Sequence, residues 1–389
     1  MPQHGIFVAR RVAPLAARHE LKVVAPIPYY PSFFPAPANW KKLTKVPQLE
    51  EQFGIEVSHP RYLVTPKIGM AKYGDWMTRG TQPTIEKIQN QGFDFQVIDA
   101  HFAYPDGLAA VRLGKYFNVP VVVTARGSDI TRNKLMPNIV PLLREVINSA
   151  AQLIAVSEEI KQDFIELGAT PDKIHVIPNG IDTATFYPLP KLEARQQIGL
   201  HPELKLLVCV GRLDHNKSQW LILDALCKIG RERLQQQKIR LALIGEGEDR
   251  RKLEETSRQL RLDDIVRFVG QLAPEKICLW NNAADVKVLA SIREGSPNVV
   301  LEALACGTPV VASNAGTNPD IIESGKNGFL FPSGDSGALK NQLLTALETH
   351  WDKAAIAGSD SLRNWDSVAA EAESVLEQAL QEKYLVTNN

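Results

Sequence analysis

Long apolar runs are absent from this 389-residue chain. None approaches the roughly 18 residues that a bilayer-spanning helix needs. No apolar signal-peptide core stands at the start, so the expected location is the cytoplasm. Charge of one sign is equally absent: 44 basic and 44 acidic residues cancel. That balance argues against a nucleic-acid partner held by a bulk basic field. Cysteine is scarce, with four residues (Cys209, Cys227, Cys278, Cys306), all in the C-terminal half. Each sits in an apolar strand or helix pattern, which predicts buried thiols rather than disulfides or zinc ligands. Two nucleotide signatures are also missing. No G-x-G-x-x-G follows a strand pattern and no G-x4-G-K-[ST] occurs, which counts against a dinucleotide oxidoreductase and a P-loop NTPase.

What is present is a soluble composition, 44% hydrophobic and 23% charged, on a chain too long for one core. The second half alternates apolar strands with amphipathic helices. Strands are expected at 206–213, 239–245, 265–270, 285–290, 308–313 and 328–332, with helices between them, such as 219–231 and 249–261. The first half repeats the theme, with strands at 21–26, 95–102, 120–125, 153–157 and 173–178. Helices are expected there at 70–91, 106–117, 138–149 and 158–167. Such alternation predicts α/β architecture with two doubly wound parallel sheets in tandem. Pro178-Asn-Gly-Ile-Asp182 carries the turn residues of a linker. The expected domains are 1–182 and 183–360, with a final helix, 361–389, returning towards the first domain.

The most informative segment runs from Glu294 through Gly295, Ser296, Pro297, Asn298 and Val299 to Glu302, ending at Cys306-Gly307. Ser296 suits a helix N-cap, Pro297 the first helical position and Gly307 the position past the helix end. A helix N-terminus presents unpaired amides and partial positive charge, a natural seat for phosphate. Two carboxylates flank that seat. Upstream, Gly211-Arg212 and Lys217 follow a strand end, where open α/β sheets bind ligands. Removing one such preorganised cation typically costs about 10²–10³ in rate. Gly245-Glu246-Gly247 and Val269-Gly270-Gln271 end the next two strands.

The Glu294–Glu302 segment closely resembles the E-x7-E donor-site motif of family 4 glycosyltransferases, retaining enzymes of the GT-B fold. Gly211-Arg212 with Lys217 resembles the family's G-R-x5-K-G, with Ser218 in place of its last glycine. The resemblance implies two Rossmann-like domains facing a cleft, with the nucleotide sugar on the second. By carry-over, Arg212 and Lys217 stabilise the leaving diphosphate, Glu294 holds the donor sugar and Glu302 the ribose. Gly5, Gly211, Gly245, Gly270 and the helix start at 295–299 line the donor. Thr124-Ala-Arg126-Gly-Ser-Asp129 departs from the majority T-x-H-G-x-D and resembles a subset that builds cell-envelope polysaccharides such as teichuronic acid. Arginine is not a general base, so Arg126 binds or stabilises charge. His101 and Asp129 are the secondary sugar or acceptor contacts.

The family also implies a strand and a glycine loop before the first helix, of which only His4-Gly5 remains. The first domain is therefore expected to lack its first strand, through a start-site error or a true truncation. The alternative function is a non-catalytic remnant that binds nucleotide sugar or glycan. No cofactor or metal is implied beyond the nucleotide sugar as co-substrate, and the other partner is a glycan or lipid-linked acceptor. The aromatic, proline-rich loop 25–40, followed by Lys41, Lys42 and Lys45, suggests peripheral membrane contact.

Overall fold

The computed structural model describes residues 5–30, 43, 45–65, 69–359 and 361–387. The loop residues 31–40, with Lys41 and Lys42, lie outside the described residues. Contacts divide the chain into two compact units, Met1–Asn179 with Trp365–Asn389, and Gly180–Asn364.

In the first unit the strands are β1 (Val23–Val24), β2 (Ile27–Tyr29), β3 (Leu49–Gln52), β4 (Ile55–Ser58), β5 (Arg61–Leu63), β6 (Ile98–His101), β7 (Val121–Ala125), β8 (Gln152–Ala155) and β9 (Ile174–Val176). β6 to β9 form a parallel sheet in chain order. Two smaller sheets, β1-β4-β3 and β2-β5, complete the described strands. Side-chain alternation along β7 and β8 sends Val121, Val123, Leu153 and Ala155 into one core. Val122 and Ile154 face the opposite side, where the C-terminal helix Trp365–Thr387 covers them with Trp365, Val368, Ala372, Val375 and Ala379.

The helix Ile6–Ala16 runs through Pro14, which lies near its last turn and removes only one late backbone bond. Met70–Lys72 is a separate 3₁₀ turn ahead of the helix Tyr73–Asn90. The β3–β4 hairpin was not expected. Its turn residues Phe53 and Gly54 both have positive φ, 52° and 74°, which matches the right-handed twist of the strands. Phe-Gly lacks the Asn or Asp that usually marks such a turn, and the acidic Leu49-Glu-Glu-Gln52 hides the strand.

The second unit holds β10 (Lys205–Val210), β11 (Ile239–Ile244), β12 (Val266–Gly270), β13 (Val286–Leu289), β14 (Val310–Ser313) and β15 (Gly328–Phe331). They form one parallel sheet in the order β12-β11-β10-β13-β14-β15. On β10, Leu207 and Cys209 enter one core while Leu206, Val208 and Val210 enter another. On β14, Val311 is separated from Val310 and Ala312 in the same way. Both faces are therefore covered by helices, as a buried parallel sheet requires. The strand order reverses direction between β10 and β13. That switch point leaves a crevice at the carboxyl edge, the usual ligand position in such sheets.

Candidate active site

The loops after β10 and β13 meet at this switch point. Ile292 donates its amide to Asn216 O at 2.8 Å, and Asn216 Nδ2 donates to Arg293 O at 3.0 Å. Glycines let the neighbouring loops close in. A Cβ on Gly245 would lie 2.0 Å from Gly211 O, and one on Gly316 would lie 2.1 Å from Glu294 O. Neither position admits a side chain without moving backbone.

On this frame Lys217 Nζ donates to Glu294 Oε1 in an ion pair. Ser291 Oγ–H donates to the same oxygen at 2.6 Å. The Lys217 side chain is 23% exposed and that of Glu294 only 8%. The lysine stem passes over Gly211, whose added Cβ would sit 4.0 Å from Lys217 Cδ. Asp214 fixes the loop: its Oδ1 accepts from Lys217 N at 3.0 Å, and its Oδ2 accepts from Arg212 Nε. The Arg212 side chain remains 76% exposed. Lys217 and Glu294 thus come together, whereas Arg212 reaches solvent from the base of the same loop.

The helix after this loop spans Asn298–Ala305. Its cap is Pro297, not Ser296, and no side chain caps it. Ser296 instead accepts the Asn298 amide through its backbone carbonyl at 3.0 Å, because the chain turns tightly there. At the other end Gly307 N donates to Leu304 O and Thr308 N to Ala303 O, the paired bonds of a Schellman ending. Gly295 and Val299 flank this start, and Glu302 lies one turn into the helix. Gly270 ends β12 and its carbonyl accepts the Gly245 amide at 2.9 Å.

Lys287, on β13, was not foreseen. It is fully buried, donates to Asn281 Oδ1 at 3.2 Å, and burial lowers its pKa to about 8. A single lysine within the apolar run Val286–Leu289 was the available signal. Cys278 and Cys306 are buried free thiols with sulfurs 3.8 Å apart. Cys227 is exposed, against expectation, because it faces outward from the helix Gln219–Ile229.

In the first unit, Gly5 begins the helix Ile6–Ala16 with φ 81°. Arg11 of that helix, also not foreseen, is 2% exposed. Its Nη2 donates to Asp99 Oδ1 and Oδ2 at 2.7 and 2.6 Å, and its Nη1 to Thr124 Oγ1 at 2.9 Å. His101, at the end of β6, lies 3.4 Å from Asp99 Oδ2 through Nε2. Arg126, after β7, donates from Nε and Nη2 to His101 Nδ1 at 3.3 and 3.1 Å, and from Nη1 to Asn179 Oδ1 at 3.1 Å. Burial, then the Arg11 charge, lowers His101 to about 4, so its ring is neutral near pH 7. Asp129 accepts from Ala103 N at 2.7 Å and from Arg126 N at 3.1 Å.

Among the described residues no group of three or more His, Cys, Asp and Glu side chains is placed to hold a metal ion. No described helix is long and apolar enough to cross a membrane.

Comparison with known proteins addresses both halves. Residues 7–185 match the family model described as Glycosyltransferase Family 4, and residues 190–359 the model described as Glycosyl transferases group 1. A D-inositol 3-phosphate glycosyltransferase of Pseudarthrobacter chlorophenolicus is 32% identical over 247 residues, 61% of this chain and 58% of that protein. A second, from Catenulispora acidiphila, is 32% identical over 50% of this chain and 47% of its own length. The match therefore spans about half the length of these curated relatives. TuaC of Bacillus subtilis, assigned to teichuronic acid biosynthesis, is 27% identical over 81% of this chain and 78% of its own. Among solved structures, a sucrose-phosphate synthase from Thermosynechococcus elongatus superposes with a TM-score of 0.78 at 21% identity, covering 97% of this chain and 94% of its own. Anabaena HepE in complex with UDP and glucose gives 0.71 at 20% identity, covering 96% of each chain. These two structures share the fold.

Proposed function

The chain belongs to glycosyltransferase family 4, and from that premise we propose that it moves a sugar from a nucleoside-diphosphate sugar to a glycan or lipid-linked acceptor with retention. The observation that carries this reading is the Lys217–Glu294 pair at the switch point of a parallel sheet, between glycine-lined loops. In this proposal the C1–oxygen bond to the diphosphate breaks and the acceptor oxygen bonds to C1 on the same face. The acceptor proton passes to the departing phosphate. Lys217 and Arg212 take up the charge growing on that phosphate, with the amides that head the helix Asn298–Ala305 assisting. Glu294 holds the donor sugar and, while the site is empty, neutralises Lys217. Glu302 holds the ribose. Gly211, Gly245 and Gly270 leave room for the nucleotide. This chemistry uses side-chain cations in place of a metal.

In this proposal the protein works in the cytoplasm in cell-surface polysaccharide synthesis, a role that the likeness to TuaC, named for teichuronic acid biosynthesis, supports. The test is a panel of UDP-, GDP- and ADP-sugars offered to the full chain with nucleotide release as readout. Release of one nucleotide, abolished in Glu294→Ala, is the expected result. No release from any donor, with or without candidate acceptors, sinks the proposal.

A further inference from the structure

Two arginines and two aspartates share the carboxyl end of β6 and β7, but they are not paired alike. Arg11 is matched by Asp99, which takes two bonds from Nη2. Arg126 has no such counterpart. Among the described residues its guanidinium enters no ion pair, and its three bonds end on the neutral His101 ring and the Asn179 amide oxygen. Asp129 is close in sequence but spends its oxygens on the backbone amides of Ala103 and Arg126. A guanidinium has five N–H donors, so two remain on Nη1 and Nη2. Burial, with the Arg11 charge second, lowers Arg126 to about 9, which leaves it charged near neutral pH. Arg126 is half-buried, with Asp99 and Asp129 near it but neither bonded to its guanidinium, so its unused N–H groups are free to take a ligand's charge. The planar fork suits carboxylate and phosphate better than a hydroxyl.

We propose that Arg126, steadied by His101 and Asn179, seats an anionic group, carboxylate or phosphate, on a sugar substrate. This rests on the proposed function for the ligand being a sugar. The protein then selects an acidic sugar over its neutral counterpart at this wall of the first unit.

The test is calorimetric titration of the full chain with two pairs of probes. UDP-glucuronate against UDP-glucose asks whether the acid lies on the donor sugar. Glucose 6-phosphate against glucose, without nucleotide, asks whether it lies on the other substrate. The expected result is a preference on the order of ten- to a hundredfold for the acidic member of one pair. Arg126→Gln should remove that preference while leaving UDP affinity unchanged and a single cooperative melting transition in place. Lys217→Ala should retain it. A preference in neither pair overturns the inference, as does one that survives Arg126→Gln or disappears only in Lys217→Ala. Failure of UDP, GDP and ADP alike to bind counts against the proposed function, while the glucose 6-phosphate pair still decides the role of Arg126.

Discussion

Replacing Lys217 by methionine keeps most of the aliphatic stem over Gly211 and removes the ammonium from Glu294. The carboxylate, 8% exposed, keeps the hydrogen bond from the Ser291 hydroxyl. Fully exposed pairs contribute about 0–1 kcal/mol, and breaking a buried one costs about 3–5 kcal/mol. With one partner nearly buried and the other 23% exposed, the loss should fall between these limits, about 2 kcal/mol. Glu294→Gln retains an acceptor for Ser291 and should cost less. The double variant should then show a coupling of about 1–2 kcal/mol between the two positions. Urea unfolding read by fluorescence in a background with Trp40, Trp76 and Trp365 of the first unit replaced by phenylalanine reports the second unit through Trp220, Trp280 and Trp351. Turnover should separately fall by about 10²–10³ in Lys217→Met, because the ammonium also acts on the leaving phosphate. A coupling below about 0.3 kcal/mol would show that the pair acts independently. Turnover within about threefold of wild type would remove Lys217 from the chemistry, since a lost charge-stabilising donor should cost far more.

Gly245→Ala should weaken nucleotide binding without unfolding the first unit, because its Cβ would stand 2.0 Å from Gly211 O and push the β10 loop away. Unchanged nucleotide affinity by calorimetry would show that this loop does not contact the donor. A second test concerns pH. His101 has a folded pKa near 4, below its ordinary 6.5, so its contribution is complete above about 6.5 and is lost as pH falls towards 4. The full shift corresponds to roughly 3 kcal/mol. Asp106 runs the other way: burial raises it to about 7, so its contribution is present at acid pH and lost as pH rises through 7. The two oppose each other between about pH 4 and 6.5. His101→Asn should therefore make the protein relatively more stable on acidification, and Asp106→Asn relatively less. Parallel urea midpoints for both variants across this range would contradict the assignment.

The second unit was largely legible in the sequence because its strands are continuous apolar runs separated by amphipathic helices. Each of β10 to β15 overlaps a stretch read from periodicity alone, with ends shifted by up to three residues. The first unit was less legible. β3 and β5 are short and bear charged or half-exposed residues, so neither alternation nor apolar content stands out. The residues missed around the candidate sites share a different cause. Arg11 meets Asp99 across 88 positions, and Lys287 is defined by burial between layers rather than by its neighbours in the chain. Lys217 and Glu294 are 77 positions apart, and only the motifs around each allowed them to be considered together. Ser296 illustrates a local limit: a good capping residue was present, but the turn before Pro297 used its carbonyl instead.

The last helix also sets an order of events during synthesis. The ribosome releases all of Gly180–Asn364 before the residues that cover Val122 and Ile154 emerge. The lobe begun first is thus finished last, and until then one side of its sheet is an open apolar surface. Arg18 and His19 near the start meet Glu373 near the end at 2.8 and 2.5 Å, so the two extremities latch together as this surface closes. Shortening the tail should consequently injure the amino-terminal lobe, not the lobe that directly precedes it.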